Sequence, residues 1–232
     1  MDIRVLYEDA FMIVVVKPCG IPSQPDKTGD EDMLGALEKH FIKQGEKNPY
    51  VGLIHRLDRP VGGVMVFAKT KEADGILSKV VQQNQVSKEY LAVLCGCPQK
   101  TEDRLQDFLW KDGKRNLSKV VSEKVKGAKE ALLEYKVMKT VNHEKEGELS
   151  LVNIRLLTGR HHQIRVQFSH AGFGIWGDKK YNTQATKRLG KTQVALWSTK
   201  LSFKDPRNGT LLVFEARPEA YPFSIFLNED TL

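Results

Sequence analysis

The feature that most constrains this chain is the spacing of its short apolar runs. Phe11-Met12-Ile13-Val14-Val15-Val16 is six residues long and rich in β-branched side chains, whose stiffness at χ1 suits a pleated strand. Pro18, Gly20 and Pro22 stop it at once. Further strand-like runs cover Leu53 to Asp58, Val64 to Ala68, Glu89 to Cys95, Glu130 to Val141, Glu148 to Leu157, Gln193 to Phe203 and Thr210 to Ala216. In the run from Glu148, Val152, Ile154 and Leu156 alternate onto one face. Trp110-Lys111-Asp112-Gly113-Lys114 predicts a hairpin with Asp-Gly in a type I′ turn. Most neighbouring runs are joined by turns too short for a helical crossover, so consecutive strands must fold back on one another.

Helical signals are fewer. Thr70 can cap a helix whose apolar positions, Ala73, Ile76, Leu77, Val80 and Val81, follow the i, i+3, i+4, i+7, i+8 spacing of one helix face. Asp30 or Asp32 can cap a shorter one carrying Leu34, Leu37 and Phe41, with Gly35 a weakness inside it. Gln163 to Ala171 reads as a third, with Ile164 and Phe168 on one face and Gly172 as its stop. The fold class expected is α+β: a mixed, mostly antiparallel β-sheet with flanking helices, in a single domain over residues 1–232.

Composition narrows the partners. Hydrophobic residues make up 41% and charged residues 28%, an ordinary globular balance that allows a real core. The net charge of +7 favours polyanions, of which nucleic acid is the commonest large one. Three cysteines, Cys19, Cys95 and Cys97, are too few for a disulfide framework, and Cys-Gly-Cys lacks zinc spacing. The start lacks the order of a secretory signal, and the longest early apolar run is too short to span a bilayer. The expectation is a cytoplasmic, monomeric protein without a membrane partner.

Three segments carry chemistry. If His55-Arg56-Leu57-Asp58-Arg59 is extended, Arg56 and Asp58 share a face at a strand end, where a carboxylate among arginines can act on a sugar carbon as nucleophile or base. On spacing alone, a surface ion pair at a strand end is the better reading. Thr158-Gly159-Arg160-His161-His162-Gln163-Ile164-Arg165 combines a turn, a helix start and many donors suited to phosphate oxygens, with His162 and Arg165 at i and i+3. Adjacent histidines on a helix point apart, which disfavours metal chelation there. In Lys88-Glu89-Tyr90, Lys88 and Tyr90 share a strand face; Tyr90 is either a core residue or a platform for a base.

In this order the three segments resemble the RluA-type family of RNA pseudouridine synthases. The resemblance runs from Leu6-Tyr7-Glu8-Asp9 and Val16-Lys17-Pro18-Cys19-Gly20, through residues 55–70, 88–92 and 158–165, to Gly177-Asp178, Tyr181 and Phe214 to Pro222. It implies an enzyme that detaches uracil from ribose, turns it and rejoins it through carbon, with no cofactor or metal. It implies that Asp58 is the catalytic aspartate, that Arg56 fills the space of a flipped-out base, that Tyr90 is the active-site tyrosine, and that Arg165 pairs with the carboxylate. Arg56, Arg59, Lys88, Arg160 and His162 become the expected RNA contacts, with Lys111, Lys114, Arg115, Lys179, Lys180, Lys187, Arg188 and Lys191 as further candidates. The RNA is expected to be ribosomal or transfer RNA. The pattern begins by Tyr7, so no small S4-like RNA-binding domain is expected ahead of it.

Several positions depart from the family pattern. Pro60-Val61-Gly62-Gly63 stands for the more frequent Asp-Thr-Ser-Gly, His161 for Thr, and Trp197-Ser198 for His-Ala. A non-catalytic RNA-binding or RNA-chaperone protein on the same scaffold is the alternative; a glycoside hydrolase would need a second catalytic carboxyl, and none stands out as a partner for Asp58.

Overall fold

The six-residue apolar run forms a strand, as its β-branched content predicts, and lies at the centre of the first of two compact units seen in a computed structural model of the chain. The structure describes residues 1–182 and 193–226; Lys187, Arg188 and Lys191 lie outside them. The units are Met1–Ser87 with Ser198–Arg217, and Lys88–Trp197 with Pro218–Leu232.

The first unit contains β1 (Arg4–Glu8), β2 (Met12–Lys17), α1 (Met33–Lys43), β3 (Gly52–Leu53), β4 (Gly62–Ala68) and α2 (Lys71–Gln82), and receives β10 (Leu196–Lys204) and β11 (Leu211–Glu215) late in the chain. Strand β2 pairs with β1 and β4, and β10 pairs with β11. Every residue of β2 and β4 is buried, which explains why both read as continuous apolar runs and not as alternating ones. Asp32, not Asp30, caps α1: its Oδ1 accepts from the N–H groups of Leu34 and Gly35, and Met33, Leu37 and Phe41 turn inward. Thr70 caps α2 through the N–H of Ala73, and Ala73, Leu77 and Val80 form its buried stripe.

The second unit contains β5 (Ser87–Cys95), β6 (Glu102–Asp112), β7 (Leu117–Val121), β8 (Lys129–His143), β9 (Gly147–Leu156) and α3 (Gln163–His170). Its strands pair in the order β5-β9-β8-β6-β7. The pairs β1–β2, β2–β4, β3–β4 and β10–β11 in the first unit, and β5–β9, β9–β8, β8–β6 and β6–β7 in the second, are antiparallel. Helix α3 meets this sheet through Val166, which packs with Leu109 and Ala131, and through Phe168, whose ring meets Tyr135 edge-on at 5.4 Å. The fold is thus α+β, with strands outnumbering helices. No helix among the described residues is long and apolar enough to cross a membrane.

The β6–β7 connection differs from the expected two-residue turn. Four residues separate the strands, Asp112 Oδ1 accepts from the N–H groups of Lys114 and Arg115, and the positive φ falls on Asn116 at 51°. An Asp side chain that mimics a backbone turn thus closes the loop, and Gly113 needs no left-handed conformation.

Candidate active site

Residues 55–59 do not continue the strand that Leu53 begins. Only Gly52 and Leu53 pair with β4, opposite Ala68 and Phe67. Further along β4 the place beside Gly63 and Val64 is taken by β10, whose Ser198 backbone lies so close that a Cβ on Gly63 would stand 2.2 Å from the Ser198 carbonyl oxygen. The chain therefore peels away after Leu53, and side chains replace the lost ladder. His55 Nε2 accepts the Val66 N–H at 3.3 Å. Ser23 Oγ donates to the Leu57 carbonyl at 2.8 Å and accepts the Leu57 N–H at 3.2 Å, satisfying both backbone groups of a buried residue.

Asp58 follows directly, half-buried, at the head of a turn closed by the Val61 N–H on the Asp58 carbonyl at 2.9 Å. Alternation of the side chains survives the loss of the strand: Leu57 is buried, Arg56 is exposed. Beneath the turn lies Lys17, fully buried at 0% exposure. Its ammonium donates to the carbonyls of Pro18, Ile21 and Arg59 at 3.0, 2.6 and 3.2 Å, three acceptors for three N–H donors. Burial pushes it down to about 8, with Cys19 and the Asp58 carboxylate the charges that oppose the shift. Burial raises the Cys19 thiol, against Lys17 and a Gly62 N–H directed at the sulfur. By sequence Lys17 stands out only within the family resemblance; a lysine that ends an apolar strand is the signal that marks it as a buried cation.

The second unit holds the other expected residues. Tyr90 is buried on β5 opposite Ile154, and Lys88 precedes it on the same strand, half-buried, its ammonium lowered by desolvation. Arg165 is buried on α3 and grips Asp178 with two bonds, Nε to Oδ2 and Nη2 to Oδ1, both 2.7 Å. Asp178 has 0% exposure and also accepts the N–H groups of Lys180 and Tyr181. The Arg165 guanidinium carbon lies 5.2 Å from the centre of the Tyr181 ring. Asp178 and Tyr181 thus build the seat of Arg165, a role that position in sequence did not reveal.

His162 does not sit on α3 beside Arg165, as an i, i+3 pair would. It precedes the helix in a left-handed conformation, φ 54°, and shares Tyr181 with Arg165 instead: its Nδ1 meets the Tyr181 hydroxyl at 2.8 Å. That hydroxyl also accepts the Ser118 N–H. Burial, then Arg165 and His161, push the His162 imidazole down to about 2, so it is neutral at physiological pH. His161 and His162 stack, with ring centroids 3.7 Å apart, because they lie in the turn and not on the helix. The His161 ring reaches Ser118 Oγ at 2.8 Å and Asn116 Oδ1 at 3.0 Å, and Lys180 Nζ donates to the Asn116 carbonyl at 3.0 Å, so the β6–β7 loop is tied to the segment that carries Arg165.

The three arginines expected to meet RNA differ in what they already hold. Arg56 is exposed and has no side-chain partner among the described residues. Arg160 gives its Nε to the Glu130 carbonyl at 2.7 Å, and neither Nη group has a partner among the described residues. Gln163 fixes the turn beneath it by accepting from the Arg160 N–H and the Thr158 hydroxyl. Arg59 has its guanidinium occupied by Gly20, Asp26, Thr28 and Asp30.

Comparison with known proteins agrees across most of the chain. Residues 11–170 match the family model described as RNA pseudouridylate synthase. An uncharacterized RNA pseudouridine synthase of Aquifex aeolicus is 31% identical over 237 residues, covering 95% of this chain and 71% of that protein. Ribosomal large subunit pseudouridine synthase D of Borreliella burgdorferi is 31% identical, covering 98% and 68%. The solved structure of human RNA pseudouridylate synthase domain containing 1 superposes with a TM-score of 0.79 at 20% identity, over 96% of this chain and 86% of that one, a likeness of fold.

Proposed function

Because the chain belongs to the RNA pseudouridylate synthase family and is an isomerase acting on RNA, we propose that Asp58 is the carboxylate that attacks the ribose of a target uridine. Asp58 bonds to C1′ as the N1–C1′ bond breaks, uracil turns, C5 bonds to C1′ as the Asp58–C1′ bond breaks and frees the carboxylate, the C5 proton leaves and N1 gains one, so atoms balance with no cofactor. The observation that carries the assignment is the turn that holds Asp58: a half-buried carboxylate beside a buried ammonium, flanked by residues whose backbone groups are anchored. Tyr90 is proposed as the ring that faces the uracil, and Arg165, seated by Asp178, as a cation with a fixed direction.

RNA contact is proposed for Arg56, Arg160, Lys88 and neutral His162. The β6–β7 loop, with exposed Lys111, Lys114 and Arg115, adds positive charge that an RNA backbone would favour. We propose large-subunit ribosomal RNA as the first substrate to test, because relatives are named for it, with transfer RNA as the second. A cytoplasmic monomer is the working expectation, to be checked by size-exclusion chromatography and fractionation.

The decisive experiment maps pseudouridine in RNA from cells that lack the protein, then restores either the wild-type chain or Asp58→Asn. The expected outcome is a missing pseudouridine restored by the wild type alone. Restoration by Asp58→Asn at the normal rate would refute the assignment of Asp58.

A further inference from the structure

Arg56 and Arg59 flank Asp58, yet only Arg56 presents an unengaged guanidinium among the described residues. Arg59 donates from Nε to the Gly20 carbonyl at 3.0 Å, from Nη1 to Thr28 Oγ1 at 3.1 Å and Asp26 Oδ2 at 3.4 Å, and pairs through Nη2 with Asp30. Its own carbonyl accepts the Gly20 N–H at 2.8 Å and the Lys17 ammonium at 3.2 Å. Residues 20 and 59 are therefore joined twice, once in each direction. The receiving loop is folded on itself for the purpose: the Thr28 hydroxyl donates to Asp26 Oδ1 at 2.6 Å, the Thr28 N–H reaches the same oxygen at 2.9 Å, and the Asp30 N–H reaches Thr28 Oγ1 at 3.3 Å.

Two carboxylates face this one guanidinium, so these three side chains together carry a net negative charge, which disfavours a phosphate as a further ligand. What the bonds do accomplish is local. Asp58 stands between Leu57, whose two backbone groups are held by Ser23, and Arg59, whose backbone and side chain are held by Gly20 and residues 26–30. Both peptide neighbours of the carboxylate are pinned by different elements. A misplacement of about 1 Å in a reacting group costs on the order of 100-fold in rate, so such pinning has kinetic consequences.

We propose that Arg59 is a positioning residue for Asp58, with Asp26, Thr28 and Asp30 as its receptor, and not a phosphate ligand. This rests on the reading of Asp58 as the reacting carboxylate.

The test uses the full chain and large-subunit ribosomal RNA transcribed without modification. Arg59→Gln is expected to lower kcat by roughly 10- to 100-fold while RNA affinity, and the slope of log Kd against log salt, stay at wild-type values. Asp26→Asn with Asp30→Asn, which keeps the arginine, is expected to lower kcat in the same direction, and adding Arg59→Gln to that pair to lower it no further than Arg59→Gln alone. Arg59→Lys is expected to rescue little, since an ammonium cannot match the planar fork. A phosphate ligand predicts the reverse: weaker binding, a salt slope reduced by about one, and unchanged kcat. That result overturns the proposal, as does Arg59→Gln with wild-type kcat. Hydrogen exchange reads the clasp without reference to activity: the Val61 and Gly20 amides should lose protection in Arg59→Gln. Unchanged protection overturns the positioning role whether or not this RNA is a substrate. A wild-type chain that makes no pseudouridine, while protection shifts as expected, counts against the substrate and function reading alone.

Discussion

Replacing Asp178 by Asn tests how the seat of Arg165 is built. The substitution keeps the shape of the side chain and removes its charge. In the wild type, Asp178 has 0% exposure and accepts two charged bonds of 2.7 Å from Arg165 and the N–H groups of Lys180 and Tyr181 at 3.0 and 3.3 Å. Breaking a buried ion pair from one side costs about 3–5 kcal/mol. For a chain of this length each kcal/mol shifts the melting midpoint by about 2–4 °C, so the variant should melt about 6–20 °C lower. Since total stability is about 5–15 kcal/mol, that is a large fraction of it. Far-UV circular dichroism melts at low and high salt are the assay. Because the pair is buried, the loss should persist in salt, which screens exposed pairs but hardly reaches this one. A drop of less than about 2 °C for Asp178→Asn, below the effect of a single kcal/mol, would show that the pair does not carry the seat. So would a drop that disappears in salt.

Other perturbations test the remaining supports. Gly63→Ala should destabilise by at least about 1–3 kcal/mol from its φ of 121° alone, before the clash with the Ser198 backbone is counted; an unchanged melting temperature would show that β4 and β10 tolerate a Cβ there. Lys17 titrates near 8 in the fold and near 10.4 in the unfolded chain, so the unfolded chain binds more protons between those values and this residue's contribution to stability rises with pH across the window. Urea unfolding of the wild type and Lys17→Met at pH 8 and pH 10 should show a difference that grows in favour of the wild type with pH; a constant difference refutes the shift. Asn116→Gly preserves the left-handed backbone and removes only the acceptor for His161, which should cost about 1 kcal/mol, whereas Asn116→Ala should cost about 1–2 kcal/mol more. Equal melting temperatures for the two would rule out backbone strain at that position.

Much of the fold was legible because its signals are local. The cap of α1 at Asp32, the cap of α2 at Thr70 and the buried stripe Ala73, Leu77 and Val80 each follow from residues within two turns of one another. Strands β2 and β4 show as uninterrupted apolar runs because all their residues are buried. The run from Leu53 to Asp58 failed for a non-local reason. Its composition suits a strand, but β10, more than 130 residues later, occupies the edge of β4 that the strand would need, and Ser23 and His55 supply the hydrogen bonds in its place. Likewise His161 and His162 look divergent only if the helix begins before them; the left-handed backbone at His162 ends that geometry and stacks the rings.

The candidate site divides along the same line. Asp58, Tyr90 and Arg165 could be named from motifs, since short segments carry them. Their supports could not, since each comes from a distant part of the chain and its residue type admits many uses: Asp178 for Arg165, Ser23 for Leu57, Lys17 under the Asp58 turn. Charge is the clearest case. Arg56, Arg59 and Arg160 are indistinguishable as cations in a basic sequence, and all three were expected at RNA. In the fold they separate by what already holds them: no side-chain partner among the described residues for Arg56, one backbone carbonyl for Arg160, two carboxylates and a hydroxyl for Arg59. A guanidinium whose donors are already taken by two acids and a hydroxyl has fewer left for a phosphate than one without a side-chain partner. On the proposal that Arg59 positions Asp58, Arg56 is the arginine of that turn left to meet RNA, and Arg56→Gln should weaken RNA binding where Arg59→Gln does not.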